Sequence, residues 1–212
     1  MITSKQVIAA LQTIDDKVSV ALSRLKGLEV LVNAHEACTG HSGGKDSVVN
    51  YWLVSKIFPN LPVVHTAKPG GDNAIHPRTL EFLYEQPFAI ELWPRKLGHN
   101  PKYNLQFDGS RTSEKDRNDR SADFVEGGRA VNRQNLRLVV PDSMFGMTFV
   151  FPFFDWGDAD VWAAIHKYQI KYSEEYVEEK AILKEVSDKA PPPRSSHVHY
   201  WHHGIHYGVD LP

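Results

Sequence analysis

Apolar residues recur every three or four positions through residues 4–31, which is the spacing of an amphipathic helix. Thr3 or Ser4 is suited to cap the first turn, and Gly27 is expected to end a helix or to divide the stretch into two. We therefore predict helices over residues 4–34 that pack on the rest of the domain and carry no chemistry. The apolar positions that set this pattern are Val7, Ile8, Leu11, Ile14, Val18 and Leu22.

Short apolar runs alternate with helical segments beyond residue 40, which indicates βαβ units and a mostly parallel sheet. One buried helix is predicted from Asp46 to about Phe58 and ends before Pro59. The other predicted elements are strands at 63–66, 88–93, 136–140 and 147–151 and helices at 77–84, from 158 and at 173–186. Asp158 is expected to cap the second of these helices. Together they predict one α/β domain over residues 1–190, a doubly wound sheet with helices on both faces. The run Pro191 to Pro193 then sets off a C-terminal tail, residues 191–212.

Composition narrows the class of protein. The 212 residues carry a net charge of −2, with 24% charged and 42% hydrophobic residues, so we expect a soluble cytoplasmic protein. Without a basic excess, stand-alone nucleic-acid binding is not expected. The N-terminal segment has no long apolar run, so we expect neither a signal peptide nor a membrane anchor. The single cysteine, Cys38, excludes an internal disulfide. It is expected to lie on a first strand, just upstream of residue 42, and to be buried and inert.

The run SGGKDS has the features of a phosphate-binding loop, which we call the cradle (Ser42–Ser47). Adjacent glycines let successive N–H groups converge on an anion, and the following helix points its positive end at the same place. Lys45 supplies a cation, and Asp46 caps the helix or holds magnesium. A Walker-type loop is excluded, because it needs glycine where this chain has Thr39. The competing interpretation is a Gly-Gly turn before a helix. The expected phosphate contacts are Ser42, Gly43, Gly44, Lys45, Asp46 and Ser47.

The cradle resembles the signature of the PP-loop family of ATP pyrophosphatases and adenine-nucleotide α-hydrolases. Residues 108–120, DGSRTSEKDRNDR, resemble a second signature of one branch, which contains the phosphoadenosine phosphosulfate (PAPS) reductases and the small subunit of sulfate adenylyltransferase. Residues 150–162, VFPFFDWGDADVW, are similar to a third motif of that branch. His65 stands where the branch has an aspartate at the end of a strand. The resemblance runs from about residue 35 to 208.

This resemblance implies a nucleotide site around the cradle. Besides the cradle, it would use the strand end at His65 and Thr66 and arginines that clamp phosphate or sulfate groups. The arginines are Arg111, Arg117 and Arg120; spacing alone favours a solvated charged loop for this segment. Lys45 and Arg111 would act in catalysis. The partner would be ATP, PAPS or adenosine phosphosulfate, with magnesium accompanying ATP and no iron–sulfur cluster. A homodimer or another protein partner is left open.

The C-terminal tail departs from the branch. PAPS reductases end in Glu-Cys-Gly-Leu-His, whereas this chain has His203 at the position of the nucleophilic cysteine. Imidazole cannot form the thiosulfonate that reduction requires, so ordinary thioredoxin-dependent PAPS reduction is not expected. His203 and His206 would instead be phosphate contacts or a general acid/base pair, with the tail closing over the nucleotide. A metal role for the histidine-rich tail is the weaker alternative.

Three functions follow from these observations. The first is an enzyme that cleaves or transfers at the α-phosphate of an adenine nucleotide. The second is a nucleotide-binding regulatory protein that keeps the fold without turnover. The third is a component of a sulfur-transfer system that modifies DNA, which this family also supplies. Pyrophosphate release from ATP would test the first, and an assay of sulfite release by His203→Cys bears on the second. Ligand-dependent thermal stabilisation would identify the nucleotide.

Overall fold

The computed structural model describes residues 2–67, 77–94, 102–113, 124–127, 129–131, 133–143, 146–192, 197–202 and 205–210. Its helices are α1 Ser4–Leu11, α2 Ile14–Lys26, α3 Glu29–Asn33, α4 Lys45–Ser55, α5 Pro77–Tyr84, α6 Asp158–Lys167 and α7 Val177–Lys189. Its strands are β1 Ala37–Gly40, β2 Val63–Ala67, β3 Ile90–Pro94, β4 Leu105–Phe107, β5 Phe124–Glu126, β6 Arg129–Val131, β7 Val139–Asp142, β8 Met147–Val150, β9 His197–His202 and β10 Ile205–Asp210.

A six-stranded sheet in the order β3-β2-β1-β4-β8-β7 forms the centre of the domain. Its strands pair in parallel except for β7, which runs antiparallel to β8 at one edge. The predicted α/β fold with a mostly parallel sheet is therefore confirmed, and two further two-stranded sheets, β5-β6 and β9-β10, are separate from it. From β1 the chain moves to β2 and β3 on one side, while β4 and β8 lie on the other. Such a reversal opens a crevice at the carboxyl ends of the strands, where α/β proteins bind ligands.

The N-terminal helices form because their apolar stripe is buried. Thr3 and Gln6 make a capping box at the start of α1, and α2 has acidic residues in its first turn and basic ones in its last. Gly27 caps the end of α2, as predicted, although a break after Leu11 separates α1 from α2. The stripe is continuous with the main core through Val7, Ile14, Val18, Ala21 and Leu25, all of which are buried.

Two hydrophobic clusters use alternate residues of the same strands. Ala37 belongs to the larger cluster, which also contains buried residues of α1, α2, α3, α4, α6 and α7. Its neighbour Cys38 belongs to the smaller cluster, which in the described residues is built from strands and loops. Since successive strand residues point to opposite faces, the two clusters cover the two faces of the sheet.

Several predicted boundaries were wrong. α4 begins at Lys45 and ends at Ser55, and the segment predicted as a helix from 173 becomes helical only at Val177. β7 begins at Val139, three residues later than predicted. The three-residue strand β4 was not predicted, because it is too short for alternation to be seen. Gly157, and not Asp158, is the N-cap residue of α6.

The C-terminal tail contains an antiparallel hairpin of β9 and β10, in which His206 pairs with Trp201. His203 lies outside the described residues, as do Arg117 and Arg120. Within the described ranges, none of the helices has the length and apolar character needed to cross a membrane.

Candidate functional site

The cradle lies at the carboxyl end of β1, the central position where the sheet order reverses. Gly43 has φ +83°, a left-handed conformation that favours glycine, and it turns the chain from the strand into α4. Gly44 is extended and is the N-cap residue of α4, so Lys45 is the first helical residue. The predicted arrangement of strand, glycine turn and helix N-terminus is therefore present, and the positive end of α4 faces the crevice.

Three successive amides of the cradle are already bonded to side chains. Gly43 N–H donates to His41 Nδ1 at 3.2 Å, and Gly44 N–H donates to Ser42 Oγ at 3.3 Å. Lys45 N–H donates to the hydroxyl oxygen of Tyr176 at 3.0 Å. The next amides belong to the first turn of α4, where helix geometry provides no intrahelical partner. The cradle thus holds its own shape through side-chain acceptors before any anion arrives.

Two of the predicted cations of the site, Lys45 and Arg111, meet around two carboxylates. Lys45 Nζ lies 2.9 Å from Asp46 Oδ2 and 3.4 Å from Asp158 Oδ1. Arg111 Nε lies 2.8 Å from Asp46 Oδ1, and its Nη2 lies 2.7 Å from Asp158 Oδ1. These four groups, which we call the charge quartet, carry two positive and two negative charges. They bring together the first turns of α4 and α6, which are more than a hundred residues apart in the sequence.

Arg111 is fully buried, and its remaining donors also have protein partners. Its Nη1 donates to Ser113 Oγ at 2.9 Å and to the carbonyl oxygen of Trp156 at 3.3 Å. Arg111 therefore reaches the cradle through the carboxylate of Asp46. Its predicted role as a phosphate or sulfate clamp stays a prediction, because such a role would require it to exchange one of these partners.

The opposite charges of the quartet keep Lys45 and Asp158 in their ionised forms. Burial works to lower the pKa of Lys45, but the adjacent carboxylates of Asp46 and Asp158 outweigh it and hold the pKa above its ordinary value. Burial likewise works to raise the pKa of Asp158, and the hydrogen bond from Arg111 together with Lys45 holds it below its ordinary value. Both groups are therefore ionised at neutral pH, and the quartet is close to electrically neutral.

Two buried histidines lie behind the cradle: His41 directly follows β1, and His65 is the middle residue of the adjacent strand β2. His65 Nδ1 donates to the carbonyl oxygen of His41 at 2.7 Å, while His41 Nδ1 accepts from Gly43. Burial, together with the nearby His65, lowers the pKa of His41 to about 4, so its ring is neutral at pH 7. The Nε2 atoms of both rings and the side-chain amide of Asn50 have no hydrogen-bond partner among the described residues. The predicted nucleotide contact His65 therefore lies next to the cradle. Thr66 is the adjacent residue of β2.

Sequence reasoning missed three residues of the site. His41 immediately precedes the cradle, and Asp158 lies within the third motif, so both were near a recognised pattern. No sequence pattern indicated Tyr176, because the residue that it contacts, Lys45, is 131 positions away in the sequence. Such a contact can be seen only once the helices are packed.

The hydrogen-bond partners of Asp46 bear on the predicted magnesium site. Both of its carboxylate oxygens accept from cations, one from Arg111 and the other from Lys45. The described residues also contain no group of three or more histidine, cysteine or acidic side chains placed to bind a metal ion. In this arrangement the protein does not offer magnesium a ready-made site, and the role of Asp46 in metal binding stays a prediction.

Comparison with solved structures bears on the fold. Residues covering 79% of this chain superpose on 91% of a phosphoadenylyl-sulfate (PAPS) reductase from Candida auris in a phosphate complex, with a TM-score of 0.53 and 13% identity. The fold is similar to that of a PAPS reductase. Identity this low establishes the fold and nothing finer.

A second solved structure is the U34-tRNA thiolase NcsA from Methanococcus maripaludis with its [4Fe-4S] cluster. It has a TM-score of 0.48 and 16% identity, over 84% of this chain and 72% of the thiolase. This likeness is too weak to carry an argument. No family model matches the chain, and neither does any curated protein sequence.

Proposed function

We propose that this chain is a PP-loop protein of the PAPS reductase-like branch that binds an adenine nucleotide and cleaves it, or transfers a group, at the α-phosphate. The observation that carries the proposal is the position of the cradle. It joins a central strand to the N-terminus of α4 at the reversal of sheet order, with Lys45 in the first turn. The PAPS reductase-like fold and the two further motifs support the same assignment.

The proposed chemistry is mainly electrostatic. The first-turn amides of α4 and the Lys45 ammonium would stabilise negative charge that develops on the phosphorus oxygens and on the leaving group. The charge quartet holds Lys45 in place, because Asp46 and Asp158 both lie within 3.4 Å of its Nζ. His203 and His206 are proposed to assist proton transfer from the tail.

Thiol-dependent reduction is not part of the proposal. The chain has a single cysteine, Cys38, which is buried in β1. Burial, with a smaller contribution from Glu91, raises the pKa of the Cys38 thiol to about 12. Attack on sulfur requires a thiolate, and this thiol is neither ionised nor accessible at neutral pH.

Direct binding measurements test the proposal. Isothermal titration with ATP, PAPS, adenosine phosphosulfate and adenosine 3′,5′-bisphosphate should show binding of at least one of them. Lys45→Ala should weaken that binding by about ten-fold or more, because it removes a charge-assisted contact. Lys56→Ala, at the opposite end of α4, is the matched control and should leave the dissociation constant unchanged. Absence of binding to all four compounds, or equal effects of the two substitutions, would contradict the proposal.

Binding without turnover is the second candidate, and the charge quartet favours it. Because Lys45 and Arg111 are both paired with carboxylates, the site as it stands presents little net positive charge to a reacting phosphate. A nucleotide-binding regulator would show tight binding but no release of pyrophosphate, sulfite or adenylate. Product analysis after incubation with each bound nucleotide separates the two candidates.

A further inference from the structure

The hydroxyl of Tyr176 stands at the N-terminus of α4, within the cradle. It accepts the hydrogen bond of Lys45 N–H at 3.0 Å. A Cβ atom built on Gly44 would lie 3.3 Å from the same oxygen, so the cradle backbone and the phenol are in close contact. Tyr176 belongs to the turn between α6 and α7, and it is the residue that directly precedes α7.

The position of this hydroxyl is set by an aromatic cluster outside the cradle. The Tyr176 ring packs edge-on against Trp162, with centroids 5.4 Å apart and an interplanar angle of 75°. Tyr172 contacts both rings, at 5.3 Å from Trp162 and 6.4 Å from Tyr176. Trp162 is buried in α6, the helix that also supplies Asp158. The helix α6 and the turn that follows it therefore position the phenol at the cradle.

The bond between Lys45 and Tyr176 differs from the other two amide bonds of the cradle. Gly43 and Gly44 each donate to a side chain two residues away, which is ordinary turn geometry. Lys45 N–H is the first amide of the helix, where the backbone dipoles most favour a negatively charged acceptor. A neutral hydroxyl oxygen satisfies this donor but gains little from the dipole. An anionic oxygen at the same point would be bound more strongly.

We propose that the Tyr176 hydroxyl is an autoinhibitory contact, which occupies an anion position at the N-terminus of α4 until a phosphate group displaces it. This inference rests on the proposed function, since it assumes that the cradle binds phosphate. Binding then requires the turn that carries Tyr176 to withdraw the hydroxyl from Lys45 N–H. The affinity of the cradle for an anion is lowered by the free energy of the bond that must be broken.

The test compares Tyr176→Phe with Tyr172→Phe, using inorganic pyrophosphate as the probe. Tyr176→Phe keeps the ring in the aromatic cluster but frees Lys45 N–H. We expect pyrophosphate to bind this variant about five-fold more tightly, the factor that corresponds to one typical hydrogen bond. Tyr172→Phe alters the same cluster without touching the cradle and should bind like the wild type. Isothermal titration gives the dissociation constants, and circular dichroism confirms that each variant is folded.

The outcomes separate this inference from the proposed function. Unchanged or weaker binding by Tyr176→Phe, with wild-type binding intact, overturns the autoinhibitory contact alone. Failure of both proteins to bind pyrophosphate overturns the autoinhibitory contact. The proposed function falls with it only if ATP, PAPS, adenosine phosphosulfate and adenosine 3′,5′-bisphosphate also fail to bind. Tighter binding of pyrophosphate by the variant, with none of the four nucleotides bound by either protein, supports the contact and contradicts nucleotide binding.

A measurement on the wild type avoids reliance on the variant. Nitration of tyrosines by tetranitromethane, located by peptide mass spectrometry, reports which phenols are accessible. Saturating pyrophosphate should increase nitration at Tyr176, because the displaced hydroxyl moves toward solvent, and should leave Tyr172 unchanged. Unchanged or reduced nitration of Tyr176 under saturating pyrophosphate would overturn the displacement.

Discussion

Arg111 is a charged side chain that the fold has enclosed completely, with Asp46 and Asp158 on one side of it and Ser113 and Trp156 on the other. A buried ion pair adds little stability compared with apolar packing, but removing one partner leaves the others without compensation. Arg111 therefore determines how the beginnings of α4 and α6 fit together at the cradle.

We expect Arg111→Met to lower the free energy of unfolding by about 3 kcal/mol, because Asp46 would lose its buried cationic partner. Urea denaturation followed by circular dichroism measures the change. Arg24→Met is the matched control: Arg24 pairs with Asp155 at 2.7 Å, but both side chains are partly exposed, at 23% and 47% respectively. Loss of the Arg24–Asp155 pair should lower the free energy of unfolding by about 1 kcal/mol or less. If both substitutions lower the free energy of unfolding equally, the burial of Arg111 does not contribute to stability.

His41 makes stability depend on pH. Its pKa is about 4 in the folded protein, against an ordinary 6.5. The unfolded chain therefore takes up a proton near pH 6.5, whereas the folded protein does so only near pH 4. Because the unfolded state binds more protons between these values, stability falls as the pH drops through this interval, by up to about 3 kcal/mol from this residue.

The test of this pH dependence is His41→Asn, in which the amide oxygen can still accept from Gly43 N–H but does not titrate. Urea denaturation at pH 7.5, 6 and 5 should show a shallower loss of stability for His41→Asn than for the wild type. His35→Asn, on a half-buried histidine that accepts no bond from the cradle, should keep the wild-type slope. If His41→Asn leaves the slope of unfolding free energy against pH unchanged, the pH dependence comes from other groups.

At the scale of elements, the cradle depends on a close contact between α4 and the segment that follows β4. A Cβ atom on Gly109 would lie 2.7 Å from the carbonyl oxygen of Asp46 and 2.8 Å from its carbonyl carbon. Real Cβ atoms do not approach backbone this closely, so only glycine fits. This contact places Arg111, two residues later, beside the first turn of α4.

Gly109→Ala should therefore separate the two segments. We expect a loss of about 1–3 kcal/mol in the free energy of unfolding, the usual range for overpacking, together with weaker pyrophosphate binding. Urea denaturation and isothermal titration measure the two effects. Gly27→Ala is the matched control, since its Cβ would meet nothing closer than 3.4 Å and should change stability by less than about 0.5 kcal/mol. Normal binding by Gly109→Ala would show that the cradle does not need this contact.

At the scale of the molecule, much of the fold was predictable from the sequence because its signals are local. The apolar stripe from Val7 to Leu22 predicted N-terminal helices that pack on the domain, and the cradle followed by an apolar helix predicted a strand-loop-helix unit. Pro77 predicted the first residue of α5 correctly, because proline is well suited to that position. In each case a few neighbouring residues carry the whole physical reason.

The remaining features depend on distant segments and could not be predicted in this way. Asp158 was assigned to capping α6, but its carboxylate bonds to Arg111 and Lys45, and Gly157 is the cap. Tyr176 was taken as part of a helix, whereas it lies before α7 and contacts Lys45. Both errors arise because the side chain bonds to a residue of another element and not to a neighbour in the sequence.

The burial of Cys38 has a practical consequence for experiments on this protein. Because the only native thiol is enclosed in β1 and has a pKa of about 12, it will react slowly with maleimides at neutral pH. A cysteine introduced at Val30, whose side chain is 82% exposed on α3, would then be the one reactive position. A fluorophore or spin label can be placed there without first removing a residue from the core.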